Sequence, residues 1–79
     1  MTLNTLASIP KKGYAKIIIS LCPIETQKLL HKQKIKDSEL IFIISKNHNI
    51  LIKQNQRLFL ISEDIAKKII TIQFSSNQF

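Results

Sequence analysis

The stretch Arg57 to Phe74, RLFLISEDIAKKIITIQF, limits what this chain can fold into more than any other. It reads as a short alternating strand, a one-turn helix start at Ser62-Glu63-Asp64, an Ala-Lys-Lys-Ile turn and a closing strand. Ser62 is a good N-cap for the helical turn that runs through Lys68. A strand, a brief helical link and a returning strand describe a small barrel being closed. Few folds of 79 residues end that way.

The length allows one domain, residues 1–79, with no room for a second. A chain this short buries roughly 60% of its unfolded surface, so its core is thin. Sixteen residues are Ile, a side chain stiff at Cβ that suits a pleated surface and favours strands over helices. No apolar run approaches the ~20 residues that span a bilayer; the longest is Leu40 to Ile44. The opening MTLNTLASIPKK shows no charged start followed by an apolar region, so no secretion signal is expected. Cys22 is the single cysteine, which excludes an internal disulfide and fits a reducing compartment. The expected location is the cytoplasm.

Net charge is +7, and six of those units come from Lys11 to Lys36, with seven Lys against Glu25. A basic face attracts nucleic acid, anionic lipid or an acidic protein surface. The alternative is a biased composition rich in Lys, Ile and Asn, with Lys solvating the surface. One Arg and one Tyr leave few bidentate phosphate forks and stacking platforms, which disfavours nucleic acid.

Along the chain, Leu3, Leu6 and Ile9 mark a lead-in with a short helical turn. Pro10-Lys11-Lys12-Gly13 is turn chemistry, around the only glycine. Tyr14 to Leu21 reads as a first strand, broken by Cys22-Pro23. Ile24 to Lys34 reads as a helix with a narrow stripe of Ile24, Leu29 and Leu30. Glu25 sits in its first turn and basic residues toward its end, which suits the macrodipole. Ile35 to Ser38 links to a second strand, Glu39 to Ser45, whose unbroken apolar run implies burial on both faces or a barrel position. Asn47-His48-Asn49 forms a hairpin tip, since Asn tolerates positive φ. Strands then follow at Ile50–Lys53, Arg57–Ile61 and Ile69–Phe74, with a turn at Gln54-Asn55-Gln56. Ser75 to Phe79 is expected to fray. The expectation is mainly β: an SH3-like barrel of five strands, one helix after the first strand and a helical turn before the last.

This pattern resembles the FeoA family of small cytoplasmic proteins associated with bacterial ferrous iron uptake. The resemblance rests on Leu3 and Leu6 before the turn at Gly13, Ala15-Lys16-Ile17, Gln27-Lys28-Leu29-Leu30, Ile35 and Leu40-Ile41. It is best at Leu58-Phe59-Leu60 and Glu63-Asp64-Ile65-Ala66-Lys67-Lys68-Ile69. The chain departs from the family in the link after the helix, where glycine is usual and Lys34, Asp37 and Ser38 stand here. Asn55 also replaces a glycine in the turn before Leu58. Asn holds a left-handed conformation at modest cost, whereas Lys34 and Ser38 require the link to bend differently or carry strain.

The resemblance implies a binding module and not an enzyme: a regulatory subunit of iron homeostasis acting on the membrane permease FeoB, at the inner membrane through that partner. The same fold occurs as a C-terminal domain in iron-dependent repressors resembling DtxR. Nucleic-acid binding by a small basic barrel is the competing reading.

The residues support no catalytic site. Glu25, Asp37, Glu39, Glu63 and Asp64 form no pair beside a His, and Glu63-Asp64 at a helix start serves the dipole. Cys22, His31 and His48 lie on different elements with no metal-ligand spacing, so no metal site is expected. One glycine cannot build a phosphate loop, so no nucleotide or other cofactor is expected, and GTP would belong to a partner. Cys22 precedes a helix, where a thiolate is stabilised, against the competing reading of simple burial. The candidate partner-binding residues are Lys28, Lys32, Lys34 and Lys36. Lys28 and Lys32 are one helical turn apart and share a side; the group is either a docking face for an acidic surface or a solvated face.

Overall fold

In a computed structural model, which describes residues 2–74, the chain forms one six-stranded antiparallel sheet with two short α-helices. The strands are β1 (Thr2–Thr5), β2 (Tyr14–Ile17), β3 (Leu40–Lys46), β4 (Asn49–Gln54), β5 (Arg57–Ser62) and β6 (Ile70–Phe74), paired in the order β1-β6-β2-β3-β4-β5. Helix α1 spans Ile24–Lys32 and α2 spans Glu63–Ala66. The chain is mainly β, with the SH3-like architecture expected of it.

Five strands were expected and six are present. The extra one is β1, where Thr2–Thr5 pairs antiparallel with β6 before a 3-10 turn at Leu6–Ser8. Its apolar spacing suggested a helical turn throughout, but sheet pairing decides the first half: Leu3 lies on the outer face, and Leu6 and Ile9 are buried. Thr71 Oγ1, fully buried, donates to Asn4 O at 3.0 Å, and Asn4 Nδ2 donates to Gln73 Oε1 at 2.9 Å, so side chains reinforce the β1–β6 ladder.

The first predicted strand also ends earlier. β2 stops at Ile17, and Ile19–Leu21 is a 3-10 turn whose first N–H, that of Ile19, is taken by Asp37 Oδ1 at 2.7 Å. Ahead of β2, Gly13 N–H donates to Pro10 O at 2.9 Å with Lys12 at φ 66°, the positive third position of a type II turn. A Cβ on Gly13 would stand 2.9 Å from Pro10 O and 3.1 Å from an Ile9 methyl, so the one glycine is required by close approach and not by its dihedral.

The core is one cluster in which Ile dominates, with Ile17, Ile41, Ile43, Ile50 and Ile52 on the inner sheet face and Leu6, Leu30, Ile35 and Ile69 from the connections. Of the two readings of the run Leu40–Ile44, burial on both faces or a barrel position, the second holds. Ile41 and Ile43 point inward while Leu40 is exposed and Phe42 half-buried. The β3–β4 register shifts between Ile43 and Ser45, so Ile44 sits at a bulge.

Candidate docking surface

Helix α1 ends two residues before the predicted Lys34, and its end explains the link. Gln33 is the C-cap, and Lys34 follows at φ 63°. Lys34 N–H donates to His31 O and Ile35 N–H to Leu30 O, both at 3.0 Å. That is the paired bonding of a Schellman ending, with buried Ile35 set against buried Leu30. Glycine normally occupies the left-handed position, yet Lys34 holds it here. Ser38 does the same at φ 60°. Of the two possibilities the departing residues left open, strain is present, with both residues in the left-handed region.

The link between α1 and β3 is held at every step. Gln54, only 3% exposed, accepts from Lys36 N–H at 2.9 Å through Oε1 and donates to Lys36 O at 2.9 Å through Nε2. An amide side chain thus pairs with a backbone as a neighbouring strand would. Asp37 is tied to Ile19 N–H, and Ser38 N–H donates to Ile17 O at 2.8 Å. Lys28 and Lys32 on α1 and Lys34 and Lys36 on the link are all exposed. Lys28 and Lys32 therefore rise from the helix, and Lys34 and Lys36 from a link held by Gln54 and Asp37.

The predicted helix stripe needs correction. Ile24 is 62% exposed, and Thr26 is buried in its place, beside buried Leu30 and half-buried Leu29. Pro23 precedes α1 with no side-chain cap; Gln27 Nε2 reaches back to Cys22 O at 2.9 Å. The Ser62 cap forms as expected, accepting from Ile65 N–H at 3.3 Å, and Glu63 pairs with Lys67 at 3.6 Å.

Cys22 is buried, donating to Ile18 O at 3.5 Å and accepting from Ile70 N–H at 3.3 Å. Burial pushes its thiol above the ordinary value, the Ile70 N–H opposes this, and the Asp37 charge adds to the rise. The packing reading of Cys22 prevails over the activated-thiolate one. His31 and His48 are exposed, on α1 and at the β3–β4 tip. Among the described residues, no three of His, Cys, Asp and Glu come together as a metal site. No helix among them is long and apolar enough to cross a membrane.

The structure adds a surface that composition did not disclose. Tyr14 and Phe42 are register partners on the outer face of β2 and β3, with ring centroids 4.9 Å apart and a 48° tilt. Phe42 is paired in turn with Lys53. The strand alternation could have shown this, since inward Ala15 and Ile41 leave Tyr14 and Phe42 outward.

The same fold is present in solved structures. A FeoA-like protein from Clostridium acetobutylicum superposes with a TM-score of 0.80 over 96% of this chain and 93% of that one, at 18% identity. An iron uptake regulatory protein, FeoA, gives a TM-score of 0.79 over 94% of this chain and 100% of that one, at 12% identity. IdeR from T. acidophilum gives 0.77 over 94% of this chain but only 35% of its own length, at 19% identity. No protein-family model matches the chain, and no curated protein does. The chain thus has the FeoA-like SH3-like fold, shared at these identities by chains of similar length and by about a third of IdeR. Fold alone leaves the function to the surface.

Proposed function

We propose that this chain is a FeoA-like accessory protein of ferrous iron uptake that binds the cytoplasmic portion of a FeoB-type permease. The observation that carries this reading is the end-to-end likeness to FeoA structures, which spans 96% of this chain and 93% of the Clostridium acetobutylicum protein. It acts by docking and not by chemistry, as a cytoplasmic regulatory subunit recruited to the inner membrane through its partner. Lys28, Lys32, Lys34 and Lys36 form the docking face on α1 and the anchored link. A fixed backbone lowers the ordering cost of the interface, and the charges steer an acidic surface onto it.

The test is co-purification of the tagged chain with its cognate permease, together with ferrous iron uptake in a deletion strain. Retention of the permease and impaired uptake are expected. Reversal of Lys28 and Lys32 to Glu should weaken retention at least tenfold at low salt, with a smaller loss at high salt. No retention together with normal uptake would remove the proposal.

A further inference from the structure

Strand β5 leaves open what sheets normally protect. Among the described residues it is an edge strand, paired only with β4. The two turn residues between these strands, Asn55 at φ 52° and Gln56 at φ 69°, make the two-residue type I′ connection. Gln54 and Arg57 are then a hydrogen-bonded pair, and pairs alternate along the ladder from there. Leu58, opposite Lys53, and Leu60, opposite Leu51, fall at the non-bonded positions. Their N–H and C=O groups therefore point away from β4 along the open edge. Among the described residues no backbone bond from another element reaches them. The side chains are uncovered too, Leu58 at 60% and Leu60 at 61% exposed.

Natural edges are blunted by charge, proline, bulges or covering elements. Between Leu58 and Ser62, β5 carries no charge, no proline and no bulge. What lies beside it is a groove of about 80 Å³ between Leu29 and Leu30 of α1 with its C-cap Gln33, Leu60 and Ile61 of β5, and Ile65 and Ile69 of α2 and the turn after it. Leu60 and Ile61 point to opposite sheet faces, so a cavity touching both lies along the strand's edge. The volume is about half that of an engineered cavity of ~150 Å³ that takes benzene. It suits one aliphatic side chain.

We infer that β5 is a strand-addition site: an extended acidic segment of a partner protein pairs with the main chain of Leu58 and Leu60 and seats one aliphatic side chain in the groove against α1. Main-chain bonds give such a complex its affinity, and the pocket gives it specificity. Charge selects the occupant. Lys28 and Lys32 on α1 and Arg57 at the start of β5 are exposed. Of the acids on these elements and α2, Glu63 is engaged by Lys67, Glu25 lies in the first turn of α1, and Asp64 lies past the end of β5. A second copy of the chain would bring another +7 to the same edge and is repelled. This inference concerns the mode of binding and does not depend on which protein supplies the segment.

The test is an NMR titration of the isotope-labelled full chain with a capped hexapeptide of alternating Glu and Val. Saturable shifts are expected at 58–62 and 29–33, with slowed amide exchange at Leu58 and Leu60. A peptide with Lys in place of Glu should bind at least tenfold more weakly at low salt. Leu60→Arg should lower affinity at least tenfold. Leu58→Pro leaves the β4 ladder intact, because the Leu58 N–H is not in it, and should abolish the protection at Leu60. Shifts centred on Tyr14, Phe42 and Lys53, equal binding by the variants, or no saturable response would overturn the inference. So would concentration-dependent shifts at β5 without peptide, which would assign the edge to a second copy.

Discussion

Replacing Lys34 tests whether the link carries the strain its dihedral implies. Lys34 sits at φ 63° in the left-handed position of the Schellman ending. A non-glycine residue there costs about 1–2 kcal/mol. Glycine removes that cost but loses about 0.4–1 kcal/mol through the larger entropy of its unfolded chain. Substitution also deletes a positive charge at a helix C-terminus, worth about 0.3–1 kcal/mol and less when exposed. Lys34→Ala deletes the same charge and keeps the strain, so the difference between the Gly and Ala variants isolates the dihedral. The Gly variant should be the more stable by about 1 kcal/mol.

For a domain of this size, that corresponds to a midpoint about 4–8 °C higher. Thermal and urea denaturation of the two variants measure it directly. Lys36 supplies the internal control, since it is exposed, lies in the same link and has no positive φ. There the order should invert, with Lys36→Gly below Lys36→Ala by about 0.5–1 kcal/mol. If Lys34→Gly proves no more stable than Lys34→Ala, the link is not strained at that residue and the reasoning fails.

The β4–β5 turn gives a parallel case: Gln56→Gly creates the Asn-Gly pair that type I′ turns prefer and should stabilise by about 1 kcal/mol in urea titration. Gln54→Leu should strip the buried partners from Lys36 N–H and O, costing about 2–4 kcal/mol and speeding amide exchange at Lys36. For Cys22 the sign follows from a folded pKa raised above the unfolded one. The folded state holds the thiol proton more tightly, so this contribution is full below the unfolded pKa of roughly 8.5 and is lost as pH rises through the folded value. Stability of the native chain should therefore fall more steeply above pH ~8.5 than that of Cys22→Ala, and Cys22 should resist thiol reagents at neutral pH until denaturant is added.

The order of elements was legible because Ile, the turn residues and the Ser62 cap each speak to neighbours a few positions away. Contacts distant in sequence were not. Thr2–Thr5 is a strand only because Ile70–Gln73, nearly seventy residues on, lies beside it. Its own Leu3-Leu6 spacing suits a helical turn equally well. Thr26 replaces Ile24 on the buried side of α1, a choice set by how the helix packs on the sheet and not by its own apolar spacing. Positive φ was expected of Asn47–Asn49, yet none of them has it. It appears at Asn55, as expected of an Asn standing for glycine, and also at Gln56, which is driven into it by the two-residue length of the turn.

The candidate surface divides in the same way. The lysines are plain in the sequence, but the rigidity beneath them depends on Gln54 reaching Lys36 across 18 positions and on Asp37 reaching Ile19. Those contacts explain why the link can lack the glycine its likeness to the FeoA family would lead one to expect. Four anchors at Ile35, Lys36, Asp37 and Ser38 hold the backbone, at about 0.5–1.5 kcal/mol for each ordinary hydrogen bond. Together, at about 2–6 kcal/mol, they match or exceed the ~2–4 kcal/mol that the two left-handed residues cost. The chain thereby gains a charged Lys34 at the point where glycine would present only backbone. If the link docks a partner, Lys34→Gly should prove more stable than Lys34→Ala and also bind more weakly than the native chain. A structural role alone would move only the first.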